Sequence, residues 1–203
     1  MSRPLPKLIL ASASPRRREL LAEAGYRFTV VPPRDDAERG GGDAEAPAEM
    51  VARLAWQKAA DVAGRTAEGL ILGCDTVVEC RGRILGKPAD REHARQMLER
   101  LRGSEHRVYS GLCLWQVPGN RQTVRVAITT LVMAPLTDEQ LNQYLDDGDW
   151  EGKAGAFGYQ DGHDWLRIVA GSPSNVVGLP LELLQEMLER FGGGVWPELE
   201  PVR

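Results

Sequence analysis

The first residues suited to chemistry are Ser12-Ala13-Ser14-Pro15-Arg16-Arg17-Arg18. Leu8-Ile9-Leu10-Ala11 before them reads as a short buried strand. Pro15 suits the start of a helix, where its missing N–H would have no partner anyway, and Ser14 stands where an N-cap belongs. Three arginines then fall at the positive end of the helix dipole. An anion seated over the open N–H groups would relieve that conflict, and guanidinium forks would clamp it. The segment reads as a phosphate grip; a solvated basic helix face is the plain alternative.

The second group is Gly73-Cys74-Asp75-Thr76-Val77-Val78, inside a run with the length and β-branched content of a buried strand. A carboxylate there must be paired, protonated or bound to a cation, because desolvation disfavours its charge. Asp75 is therefore a candidate proton acceptor or metal ligand, against the alternative of satisfying a local turn. The chain has only four lysines, Lys7, Lys58, Lys87 and Lys153, among 25 basic residues. Lysine supplies a compact point charge where arginine supplies a fork. Lys58 falls on the apolar stripe of a helix with Val51, Leu54, Ala55 and Val62, either snorkelling or pointing into a site. Pro88 holds Lys87 extended. Lys153 sits in the glycine-rich stretch from Gly148 to Gln160, which fits neither a Walker A loop nor a dinucleotide fingerprint. Asp35 and Asp36 lie in a polar loop that is solvated, or that holds a divalent cation if it folds over a cleft.

The elements that must position these groups follow from periodicity and breakers. Helices are expected over residues 15–24, 49–64, 90–102, 137–146 and 181–191, and strands over 26–31, 70–78, 108–115, 122–133 and 165–169. Gly25 closes the first helix, Arg81-Gly82 turns a hairpin, Thr137 and Gln140 form a capping box, and Pro118-Gly119-Asn120 turns between two strands. Residues 192–203 read as a frayed tail on a single domain. A net charge of −4 argues against general steering toward nucleic acid. No apolar run approaches the roughly 20 residues that span a bilayer. Three cysteines without metal-type spacing suit a reduced, cytoplasmic protein, and no His or Cys cluster suggests zinc.

Taken in order, the chain resembles the Maf family of nucleotide pyrophosphatases. The likeness rests on Ser12 to Arg17, Arg53-Leu54-Ala55 through Lys58-Ala59, Gly73 to Val78 and Leu85-Gly86-Lys87-Pro88. It continues through Gly152 to Gln160 and Ser174 to Pro180. The resemblance implies an α/β fold: a twisted mixed β-sheet flanked by helices, in two lobes with a central cleft, similar to inosine triphosphate pyrophosphatases. It implies hydrolysis of a nucleoside triphosphate to the monophosphate and pyrophosphate, with Asp75 as proton acceptor. Arg17, Thr76 and Gln160 occupy the positions associated with dTTP and UTP preference instead of 7-methyl-GTP. The chain departs from the family pattern at Asp35-Asp36, Tyr159 and Asp161.

On this reading Ser12, Ser14, Arg16, Arg17, Lys58, Lys87 and Lys153 hold the phosphates, and Thr76 and Gln160 read a pyrimidine. Asp75 and Asp36 ligate Mg²⁺ or Mn²⁺, hard ions suited to oxygen donors. The implied partner is the triphosphate substrate, with no stable nucleic-acid complex and no membrane, for a chain acting alone or as a homodimer. A regulatory protein that binds nucleotides without hydrolysing them would use the same basic pocket.

Overall fold

The computed structural model describes residues 6–41 and 45–192. Strand β1 (Leu8–Ala11) leads into helix α1 (Pro15–Glu23), and Gly25 then takes the left-handed conformation expected of it (φ 78°). Strand β2 (Phe28–Val30), helix α2 (Pro47–Ala63) and the long strand β3 (Gly69–Cys80) follow. Next come β4 (Arg83–Leu85), α3 (Arg91–Leu101), β5 (Glu105–Val117), β6 (Gln122–Met133) and α4 (Asp138–Asp147). The chain continues with β7 (Leu166–Ala170), α5 (Pro173–Val177) and α6 (Leu181–Gly192).

The sheet runs β2-β1-β3-β5-β6-β7, with β4 on β3. β2 and β3 pair parallel to β1, and all remaining pairs are antiparallel. This is the mixed sheet that the sequence resemblance implies. Alternation along the strands divides the core by face. Leu8 and Leu10 of β1 join Leu70, Leu72 and Cys74 of β3 under the leucines of α6. Ile9, Ala11 and Ile71 face Ala55, Ala59 and Val62 of α2. A further apolar cluster gathers Val78, Leu85, Leu98, Leu131, Met133, Leu145 and Phe157 around α3 and α4, and forms the second lobe.

Helix α2 lies unusually close to the sheet. A Cβ on Gly73 would overlap the Ala55 carbonyl, and one on Gly111 would overlap the Val51 carbonyl. Gly111 is the register partner of Asp75. Side-chain-free positions on adjacent strands therefore let the helix settle on β3 and β5, and this sets how near Lys58 comes to the acid.

Most expected elements are present with ends shifted by one to three residues. Asp90 caps α3 by accepting from the His93 N–H (2.8 Å), and the Thr137–Gln140 capping box is complete. α5 is not anticipated: the hydroxyl-rich Ser172-Pro173-Ser174 segment starts a short helix, not a plain turn. Of the expected tail, residues 193–203 lie outside the described residues. No described helix is long and apolar enough to cross a membrane.

Candidate active site

The cleft arises from a gap in the sheet. β1 pairs with β3 only as far as Ala11 opposite Gly73, and β4 joins the same strand from Val78 onward. Between these partners, residues 74–77 of β3 are flanked by β5 on one side only. Alternation sends Asp75 to the face of the sheet carrying α2 and Thr76 to the face carrying α1 and α5. Their side chains meet a cavity of about 430 Å³ from either side of the strand. Its wall carries Arg16, Arg17, Lys58, Lys87 and Lys153 against two acids, Asp75 and Glu38. Five cations facing two anions in one concave site attract a polyanion.

Asp75 and Lys58 form the core of the site. Both are 9% exposed, and the Lys58 Nζ donates to Asp75 Oδ1 at 2.5 Å. The same ammonium lies 3.0 Å from Glu38 Oε1. A turn-satisfying Asp75 and a snorkelling Lys58 are thus set aside, since each is the other's buried partner. Lys87 faces the cavity and makes no ion pair or hydrogen bond with the described residues. Desolvation, followed by the charges of Arg17, Arg16 and Lys58, lowers its pKa. A free ammonium among cations, in a partly desolvated place, is suited to receive an anion.

The two arginines divide the work. Arg17 is fully engaged by the protein: its Nε donates to the Gly178 carbonyl (2.9 Å) and its Nη1 to the Cys74 carbonyl (2.8 Å). Its remaining bonds go to Ser12 Oγ (3.3 Å) and Thr76 Oγ1 (3.2 Å). It staples the open edge of β3 to α1 and to the end of α5. Arg16 reaches across the cleft to the Gly152 carbonyl of the other lobe at 2.7 Å. Burial, then the neighbouring charge of Arg17, lowers its pKa.

Several expected placements are revised. Ser12 is 4% exposed and accepts from the Ser14 N–H (3.2 Å), so it braces the turn beneath the cavity wall. Ser14 lines the cavity but makes no side-chain cap on α1, leaving that first turn without a side-chain acceptor. Asp36 does not line the cleft. Its carboxylate pairs with Arg39 at 2.9 Å on the exposed side of the loop, and Glu38 is the loop acid that faces inward. A turn at residues 34–37, closed by the Ala37 N–H on the Arg34 carbonyl, separates the two orientations. Thr76 Oγ1 already contacts Arg17, Ser110 (2.8 Å) and the Gly178 carbonyl (3.2 Å), so it fixes the wall. Gln160 is exposed and lines both the cleft and a neighbouring, largely apolar chamber with Leu20, Tyr159, Pro173 and Val177. Lys153 lines the cleft with its ammonium 2.5 Å from Asp161 Oδ2.

The sequence reading missed two contributors. Glu38 carried no signal beyond a polar loop. Asn175 is wholly buried and donates to the Val108 carbonyl (3.2 Å) and Thr129 Oγ1 (2.9 Å), tying α5 to the sheet so that Gly178 meets Arg17. It lies in the Ser174 to Pro180 stretch that carries the family resemblance, but only a polar residue beside two valines hints at this anchoring role.

Residues 7–191 match the family model described as Maf-like protein. A dTTP/UTP pyrophosphatase of Rhodopirellula baltica is 55% identical over 185 residues, covering 91% of this chain and 82% of that protein. A dTTP/UTP pyrophosphatase of Pelotomaculum thermopropionicum is 41% identical over 192 residues, covering 94% and 100%. A solved nucleoside-triphosphatase / dITP/XTP pyrophosphatase from Mycobacterium abscessus superposes at a TM-score of 0.41 with 15% identity, a weak likeness covering 92% of this chain and 95% of that one. With a match over most of its length and relatives well above 30% identity, the chain belongs to the Maf-like protein family.

Proposed function

We propose that the protein hydrolyses dTTP and UTP between the α and β phosphates, releasing the monophosphate and pyrophosphate. The observation that carries this reading is the buried Asp75–Lys58 pair at the centre of a cleft otherwise dominated by cations. Its relatives named dTTP/UTP pyrophosphatase supply the substrate class. A single domain in the cytoplasm is part of the same reading, supported by three free, buried cysteines.

The triphosphate tail lies across the cleft, where Lys87, Arg16 and Lys153 offset its charge. Lys87 needs no rearrangement to do so, whereas Lys153 must leave Asp161 and Arg16 must loosen its hold on Gly152. Attack on the α phosphorus requires a water in line, a group that takes its proton, and fixed positive charge for the departing pyrophosphate. Asp75 Oδ2 is the candidate acceptor, because Lys58 already occupies Oδ1 and fixes the plane of the carboxylate. Arg17 acts one step back, holding the β3 edge and Thr76 at a constant distance from the substrate. The Gln160 amide hydrogen-bonds the pyrimidine edge, and the largely apolar chamber beside it borders that contact.

Glu38, and Asp75 in place of its role as proton acceptor, are the hard oxygen donors that would hold a divalent cation, and the Lys58 ammonium now between them would have to give way to it. When bound with substrate, Mg²⁺ or Mn²⁺ would neutralise phosphate charge there. Asp36 is replaced by Glu38 in this role. The test is product analysis: dTTP incubated with the protein and Mg²⁺ gives dTMP and pyrophosphate in equal amounts. Binding of dTTP without turnover would instead mark a regulatory nucleotide-binding protein.

A further inference from the structure

Asp149, Asp161 and His163 lie beside the cleft wall, which Asp161 meets through Lys153, and one ligand atom from each falls within 4.8 Å of the others. We propose that they form a second cation site, selective for a divalent transition ion of borderline softness such as Zn²⁺ or Co²⁺. An imidazole with two carboxylates suits such ions and is a poor match for Mg²⁺.

Three features of the surroundings support the assignment. The His163 ring is held between aromatic neighbours, stacked on Trp165 (centroids 4.8 Å, 18°) and edge-on to Tyr144 (5.1 Å, 81°), so its direction is set before any ion arrives. Its Nε2 is buried without a hydrogen-bond partner among the described residues. Lastly, Asp149 follows Gly148, the left-handed C-cap of α4 (φ 78°), at the negative end of a helix with no basic residue in its last turn. Asp149 has no ion pair among the described residues, whereas Asp146 pairs with Arg91. A carboxylate at that end of a dipole gains most from a cation.

Zinc–ligand bonds of about 2.0–2.1 Å put tetrahedral ligand atoms about 3.4 Å apart, so the three groups must close by little more than an ångström. Asp161 holds Lys153 through Oδ2, and an ion on the same carboxylate would compete with that ammonium for its charge. That pair lies across Gly158, where a Cβ would come within 2.6 Å of the Lys153 ammonium. Metal binding and the Lys153–Asp161 ion pair therefore compete for one carboxylate.

Titration of the full chain with Co²⁺, followed by its visible ligand-field absorption and checked by Zn²⁺ displacement, tests the site directly, whatever the cleft does. Saturation at one ion per chain is expected, and it should persist in Asp75→Asn, which alters only the cleft. Asp149→Asn, on the surface, and His163→Phe, which keeps the ring stack, should each weaken binding at least about tenfold. Lys153→Met, which removes the competing ammonium, should tighten it. Absence of saturable binding would overturn the proposal. So would a site lost in Asp75→Asn but untouched by His163→Phe and Asp149→Asn, since the ion would then belong to the cleft.

Discussion

Asp75→Asn keeps the shape of the carboxylate but leaves the Lys58 ammonium with Glu38 as its sole acidic neighbour in the cleft. Its kcat for dTTP should fall at least about 100-fold, the lower end for loss of a general base, and steady-state pyrophosphate release checks this. Gln160→Ala should shift the ratio of kcat/KM for dTTP over GTP while leaving thermal unfolding near that of the parent, because Gln160 is exposed and packs into no core. Arg17→Lys should behave oppositely. Lysine cannot serve the Gly178 and Cys74 carbonyls and Thr76 together, so stability should fall by about 1.5–3 kcal/mol, the range for a hydrogen bond to a charged group. Denaturant titration reads that loss. Asp75 and Lys58 were visible in sequence because an acid in an apolar strand and a lysine on an apolar stripe both violate burial rules. Glu38 was not visible, since a glutamate in a polar loop violates nothing. Nor could spacing tell that Asp36 turns outward to Arg39.

At the scale of elements, the site depends on how closely α2 rides on β3 and β5. Gly73→Ala would push a methyl group into the Ala55 carbonyl and should lift the helix from the sheet. Such overpacking costs about 1–3 kcal/mol, and it should also lower kcat by separating Lys58 from Asp75. A variant with full activity and an unchanged unfolding midpoint would show that this close approach is dispensable. The periodicities of 3.6 and 2 made most helices and strands legible, and the caps at Asp90 and Thr137 were legible from side-chain chemistry. The missing-strand gap was not. It depends on where β1 stops and β4 begins, which is a matter of register between segments some 60 residues apart in the chain. α5 escaped although Ser172-Pro173 repeats the start signal of Ser14-Pro15: five residues are too few to show a period, and its anchor, Asn175 on Val108 and Thr129, is a long-range contact.

Across the whole molecule, the second lobe carries an acid sensitivity of its own. His106 is 2% exposed and packs edge-on to Phe157, a residue of the cleft wall. Burial drives its pKa down from 6.5 to about 4. Unfolding releases the ring to protonate at its ordinary pKa, so the unfolded chain binds the extra proton between pH 6.5 and about 4. Stability should therefore be intact above that window and fall as pH drops through it, by on the order of 3 kcal/mol at 1.36 kcal/mol per unit. Unfolding midpoints at pH 7 and pH 4.5 check the sign, and His106→Leu should show a smaller loss.

The two-lobed arrangement matters because the cleft draws its charges from both lobes: Arg16, Lys58 and Asp75 from one, Lys87 and Lys153 from the other. The most direct test of the account is ³¹P NMR of dTTP turnover with Mg²⁺, comparing the parent protein with Asp75→Asn. Pyrophosphate and dTMP are expected as the sole phosphorus products of the parent, with near-silence in the variant. Inorganic phosphate with dTDP, or undiminished pyrophosphate from Asp75→Asn, would contradict it.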